Sequence, residues 1–257
     1  MTQPRKTLLP RQLTARSVVA STLLGTQPPV LPGRVLVRAA ALFGISEGAT
    51  RVALSRMVAA GELATSDGTY RLTGPRLLER QARQAASRAA TTKPWRGGWV
   101  LAIVVAERRD AAERAELRDR LAAARLAELR EGVWARPENL DLAWPPIVTS
   151  HCTIVTGAHV DPALAATLWD LDGWARTASD LRAAMAELLG PLERGDTSAL
   201  ADGFVTSAAV LRHFQADPLL PDELVPEGWP GHDLRPDYDR FDAAYRAVLR
   251  EWFRSNR

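Results

Sequence analysis

Arg51, Ser55 and Arg56 fall within six residues of one another in a stretch otherwise made largely of small side chains, Glu47-Gly48-Ala49-Thr50-Arg51-Val52-Ala53-Leu54-Ser55-Arg56-Met57. Arginine presents a planar fork of donors that fits phosphate oxygens and the acceptor edge of guanine, and serine adds a short donor. On a helical wheel Thr50, Leu54, Met57, Val58 and Gly61 share one face. Ala49, Val52, Ser55, Arg56 and Ala59 point broadly the other way, with Arg51 on the flank. Such an outer face can approach a DNA groove closely, because little bulk stands between the backbone and the base edges. Ser46 serves as N-cap and phosphate contact. Arg34 opens the preceding helical segment, where a cation opposes the helix dipole and a phosphate partner would offset that. Arg71 completes the DNA-contacting set. The bland alternative for all of them is a solvated surface.

Other chemistry finds little support. His151 and Cys152 are adjacent, which is poor spacing for a shared metal, and His159, His213 and His232 are scattered. There is no Gly-rich phosphate loop and no nucleophile-elbow pattern. Glu107, Asp110 and Glu113 form an acidic patch that an exposed helix start explains. The expectation is no catalytic residue, no metal and no cofactor.

The elements that would position the arginines follow in a definite order. Apolar residues recur at helical spacing from Leu13 to Leu24, and Gly25 stops that helix. A second helical segment spans Arg34 to Phe43, and a third runs from its Ser46 cap to Gly61. Asp67-Gly68 then marks a two-residue hairpin turn, since both central residues of a type I′ turn need positive φ. Helix, connector, helix and hairpin make a winged helix-turn-helix. A basic helix from Gly74 to about Ala90 follows, with Arg76, Arg80 and Arg83 on one side as a further DNA-facing candidate.

Charge and tryptophan content both change near Ala89 to Gly98. Residues 1–96 carry 15 Lys and Arg against 4 Asp and Glu, net +11, whereas residues 97–257 carry 18 against 26, net −8. All eight tryptophans lie at or after position 95. A basic front and an acidic body suggest an arm for a polyanion and a body with another task. Beyond the break the pattern predicts a strand at Val100 to Val105, a helix from about Asp110 to Glu131, and strands at Val133 to Pro137 and Ile147 to Val155. That βαββ order indicates a small α/β sandwich. From about Pro162 the pattern is helical, interrupted at Pro191, Gly195 and the proline-rich Asp217 to Pro236, and it ends in a helix from Tyr238 to Trp252.

At 257 residues with 46% hydrophobic and 25% charged content, the chain is long enough for a sizeable core and too apolar for wholesale disorder. A single cysteine excludes a disulfide scaffold and suits a reducing compartment. The longest apolar runs fall far short of the roughly 18 residues a membrane span needs. With no apolar segment behind Arg5 and Lys6 to suggest a secretory signal, the expectation is a cytoplasmic protein without a membrane partner.

Several of these residues resemble the phenylacetic acid degradation repressor (PaaX-like) family of transcriptional regulators. The most specific piece is Asp217-Pro218-Leu219-Leu220-Pro221-Asp222-Glu223-Leu224-Val225-Pro226-Glu227-Gly228-Trp229-Pro230-Gly231. In order with it stand Thr50 to Met57, Trp95-Arg96-Gly97-Gly98-Trp99, Gly132-Val133-Trp134-Ala135-Arg136-Pro137 and Leu168-Trp169-Asp170-Leu171. The resemblance implies an α+β chain: an N-terminal winged helix-turn-helix with a basic linker helix (1–90), a central ferredoxin-like α/β domain (91–165) and a helical C-terminal domain (166–257). It implies a homodimeric repressor of a catabolic operon, bound to an inverted repeat and relieved by an acyl-CoA such as phenylacetyl-CoA. The wing departs from the family by carrying no arginine before Tyr70, which leaves Arg71 as its main contact.

An acyl-CoA effector needs cations for its phosphates and an apolar slot for its acyl end, which Trp95, Trp99, Trp134, Arg136 and Trp229 are candidates to supply. Packing is the competing role for each of them. Two other functions stand beside the regulator. One is an enzyme acting on nucleic acid or a CoA thioester through the central domain, although strand alternation would point His151 and Cys152 apart. The other is an adaptor using the winged helix to bind protein.

Overall fold

A computed structural model describes residues 13–26, 28–88, 91–105 and 110–255. The chain groups into two compact units, the first taking in Met1–Ala89, Ala178–Gln215 and Gly231–Arg257 and the second Ala90–Thr177 and Ala216–Pro230.

In the first unit, helix α1 (Ala15–Leu24) begins at a reciprocal cap. Thr14 Oγ1 accepts from the Ser17 amide at 3.2 Å and Ser17 Oγ accepts from the Thr14 amide at 2.9 Å, so two otherwise orphaned donors are satisfied. Strand β1 (Val30–Pro32), helices α2 (Gly33–Ala41) and α3 (Glu47–Ala59), and strands β2 (Leu63–Ser66) and β3 (Thr69–Leu72) follow. β3 pairs antiparallel with both β1 and β2 and lies between them. Val19, Leu23, Leu36, Leu54, Met57, Leu63 and Leu72 form the buried core where helices and sheet meet. This is a winged helix.

Its hairpin turns at Asp67 and Gly68, whose φ angles of 50° and 71° are the pair a type I′ turn requires. Gly68→Ala should therefore cost about 1 kcal/mol in chemical denaturation, the usual penalty for a Cβ in left-handed backbone. A loss below a few tenths would mean the turn relaxes to another type. Helix α4 (Pro75–Arg88) closes this part of the chain.

The second unit is built on β4 (Trp99–Val104), α5 (Ala111–Ala123), β5 (Ala127–Arg130), β6 (Val133–Pro137), α6 (Pro146–His151) and β7 (Cys152–Ala158). Strand order β5-β6-β4-β7, antiparallel throughout, is the ferredoxin-like arrangement. One sheet face packs Ala102 and Trp134 against Leu117 and Leu121 of α5 and Val148 of α6. The other packs Trp99 and Ala135 against α7 (Leu164–Leu168), Leu171 at the start of α8 (Leu171–Glu193), and Leu220 and Leu224 of the proline-rich segment.

Two boundaries here differ from the sequence expectation. The helix expected to reach Glu131 ends at Ala123, Arg125 turns left-handed at φ 64°, and Ala127–Arg130 is a strand paired with β6. Its Ala/Arg/Glu/Leu composition favours a helix locally, but pairing with a neighbouring strand overrides so weak a preference. Leu129 on this strand is 42% exposed. The strand expected from Ile147 is instead α6 as far as His151, with β7 beginning at Cys152. Pro146 at the first helical position makes that start favourable.

Helices α9 (Leu200–Gln215) and α10 (Gly231–Ser255), with α8 from Ala178 onward, complete the first unit. α10 starts seven residues before the expected Tyr238 and runs through Pro236. Leu234 is fully buried, and Arg182 holds Asp233 at 3.0 Å and Asp237 at 2.6 Å, one carboxylate on each side of the proline. Among the described residues no helix is long and apolar enough to cross a membrane.

Candidate nucleic-acid interface

The face that α3 turns to solvent is set by its buried side. Thr50, Leu54 and Met57 are inward, and the Thr50 hydroxyl donates to the Ser46 carbonyl at 3.0 Å, so its burial leaves no unmet polar group. Arg51, Val52, Ser55, Arg56 and Ala59 are all exposed. At about 100° per residue, Gly48, Val52, Ser55 and Ala59 form a narrow stripe of small side chains. Arg51 flanks it on one side and Arg56 on the other.

Ser46 caps the helix, its Oγ accepting from the Ala49 amide at 3.2 Å. The hydroxyl proton stays available to an anion, at the end of the helix where anions are favoured. Arg51 donates to Glu47 Oε1 at 2.7 Å in an i, i+4 pair whose side chains are 69% and 61% exposed. So exposed a pair holds the arginine weakly, and a phosphate can take Glu47's place. Arg34, the second residue of α2, and Arg71, on the central strand β3, are likewise exposed. Four of the six expected contacts thus lie on one helix and its cap, with the other two on neighbouring elements of the same unit. Of the linker arginines, Arg83 is exposed, and the Arg76 and Arg80 side chains lie outside the described residues.

Val52 was absent from the expected set. It is 50% exposed at the centre of the stripe, where an apolar side chain can meet a thymine methyl group. Its place opposite the buried face was readable, but an aliphatic residue on a helix does not by itself suggest contact with DNA.

The five residues expected to hold an effector are not brought around one space. Trp134 and Arg136 alternate with Ala135 on β6, and Trp134 packs with the α5 core, its ring 5.9 Å from the Arg118 guanidinium. Trp95, Trp99 and Trp229 belong to the core on the opposite sheet face. There Trp99 is fully buried beside Trp169, Trp229 stacks on Trp174 at 4.6 Å, and the Trp95 indole donates to the Gly98 carbonyl at 2.6 Å.

Arg136 has no exposed surface. It donates to the carbonyls of Pro137 at 3.0 Å, Ala124 at 3.3 Å and Leu219 at 3.3 Å, and to Asn139 Oδ1 at 2.7 Å. Asn139 donates to the same Leu219 carbonyl at 2.9 Å. Leu219, at φ 52°, is held in turn by Asp217, whose Oδ1 accepts from its amide. Burial above all, with Arg125 adding repulsion and Asp217 opposing, pulls the guanidinium down to about 9. Two motifs far apart in sequence, around Arg136 and around Leu219, thus meet as a structural clasp.

Family comparisons agree with this architecture across most of the chain. Residues 14–75 match a PaaX-like protein family, residues 92–163 a PaaX protein central Cas2-like domain, and residues 169–255 a PaaX-like protein C-terminal domain. The chain belongs to the PaaX-like family. Among solved structures, this PaaX-like regulator is similar to the uncharacterised protein Rv0674 from Mycobacterium tuberculosis. That match has 42% identity and a TM-score of 0.69, and it covers 93% of this chain and 99% of the other. No curated protein matches it.

In the PaaX-like central domain, His151 Nδ1 lies 2.9 Å from the Ile147 carbonyl and 2.8 Å from Ser150 Oγ, at the end of α6, while Cys152 is buried at the start of β7. Among the described residues no group of three or more His, Cys, Asp or Glu is arranged to hold a metal ion. Glu107 of the acidic patch lies outside the described residues.

Proposed function

We propose that this PaaX-like regulator binds double-stranded DNA through its winged helix, with α3 in the major groove and Arg51, Val52, Ser55 and Arg56 toward the base edges. Ser46, Arg34 and Arg71 contact phosphates. The observation that carries the reading is the solvent face of α3, a stripe of small side chains between two arginines on an otherwise well-packed helix. The chain acts as a cytoplasmic homodimer on an inverted repeat, its half-sites about one helical turn, roughly 34 Å, apart. It represses a catabolic operon until an acyl-CoA, phenylacetyl-CoA being the example from the family resemblance, releases it.

Gel shifts on the DNA upstream of its own gene, repeated at rising salt, test the DNA reading. With Arg34, Arg51, Arg56 and Arg71 among the contacts, the log–log slope of affinity against salt should be steep, about −0.9 for each phosphate neutralised. An absent shift, or one indifferent to salt, would sink it.

A further inference from the structure

The first unit holds a half-open cavity of about 630 Å³, within the usual range for a small-molecule site. Its walls come from α1 and α2 of the winged helix, from Arg83 on α4, and from α9 and α10, all in that one unit. Inside, Phe43 and Phe204 meet edge to face, with ring centroids 5.0 Å apart, and Leu42, Leu211, Leu249 and Phe253 extend the apolar surface. Four arginines also line the space: Arg83, Arg212, Arg246 and Arg250. Arg83, Arg212 and Arg250 are exposed at its edge and form no ion pair among the described residues.

A second feature points the same way. Tyr245 lines the cavity and is only 7% exposed, yet its hydroxyl has no hydrogen-bond partner among the described residues. Burial pushes its phenol above the ordinary value, so it stays a neutral donor. The ring is held in place by Gly203, where an added Cβ would stand 2.7 Å from it. The hydroxyl keeps some exposure inside the cavity, so an acceptor on a guest would take the place of solvent there.

We propose that this cavity is the effector site, and that the effector is an amphipathic anion. Its acidic head meets the arginines at the rim, its apolar or aromatic body lies against Phe43 and Phe204, and a polar atom accepts from Tyr245. The inference rests on the regulator reading for the word effector, but the site itself does not depend on DNA.

The location also supplies a route to α3. Arg246 donates to Asp242 at 2.9 Å and to the Gly25 carbonyl at the end of α1 at 3.1 Å, tying α10 to the winged helix. An anion reaching Arg246 competes with both acceptors. Leu42 and Phe43, at the end of α2 and two residues short of the α3 cap, form part of the same wall, so a guest that moves them pulls on the short connection to α3.

Equilibrium fluorescence with 1-anilinonaphthalene-8-sulfonate tests this on the full chain, beside its uncharged analogue N-phenyl-1-naphthylamine. The sulfonate should bind the wild type, and Arg212→Glu with Arg250→Glu should weaken it at least tenfold while leaving the uncharged analogue within twofold. Both substitutions are at exposed positions, so the fold is retained. Ala208→Trp, which fills the space, should weaken both probes. Displacement by an aromatic carboxylate, by oleate and by an aromatic acyl-CoA then distinguishes the sources of such an anion. Sulfonate binding unchanged within twofold by charge reversal would overturn the proposal, as would operator binding that a displacing acid leaves unaltered. A protein that binds the sulfonate in this charge-dependent way but never shifts DNA supports the site and defeats the regulator reading.

Discussion

Operator affinity should fall by roughly two orders of magnitude, about 2.8 kcal/mol, when Arg51 and Arg56 are both replaced by alanine. Each arginine flanks the exposed stripe on α3 from its own side, so their contacts fall on different groups and the single substitutions should contribute about tenfold each, close to additively. Arg56→Lys separates base readout from simple attraction. Lysine keeps the charge but loses the bidentate fork, so discrimination between operator and unrelated DNA should shrink more than total affinity does. Thermal stability should hardly change, since both side chains are exposed and the one pair lost among the described residues, Arg51 with Glu47, is worth a few tenths of a kcal/mol. A double variant that binds the operator within threefold of the wild type would mean that α3 is not the reading element.

Asp242→Ala should destabilise the first unit by about 3 kcal/mol, the largest loss of stability expected from a single polar side chain there. Its carboxylate is 4% exposed and bonds Arg88 on α4 at 2.8 Å and Arg246 on its own helix at 2.9 Å. Arg88 also reaches Asp239 and lies 5.1 Å over the Tyr238 ring. Removing the acid takes the shared counter-charge from two partly buried arginines, leaving Arg88 with Asp239 and Arg246 with the Gly25 carbonyl. The estimate sits at the lower end of the range for breaking a buried pair because both arginines keep some exposure, 36% and 43% of their side chains. Urea denaturation measures the change, and Asp242→Asn, which keeps the shape and one acceptor, should recover part of it. A loss under 1 kcal/mol for the alanine variant would show that the two arginines find water instead.

How far each feature could be read in advance follows from how many residues it needs. The Ser46 cap, the Asp67-Gly68 turn and the outward face of α3 are each decided by a handful of consecutive side chains, and all three appear in the structure as expected. β5 was lost to a helix because four residues of mixed preference become a strand only when β6 lies beside them. Pro236 was read as an interruption, yet α10 continues through it with Arg182 on another helix bonding the acids on either side.

The same division separates the proposed DNA face from the proposed ligand cavity. Consecutive residues were enough to put Arg51 and Arg56 on the solvent side of α3, since helical periodicity alone determines which side they share. Arg136 looked like a phosphate ligand until the fold placed it against a carbonyl 83 positions further on, because burial depends on what the rest of the chain brings to a residue. The cavity gathers its walls from Ser21 to Phe253. No local pattern encodes a space of that kind, whose size and charge arise only when helices from both ends of the chain pack together.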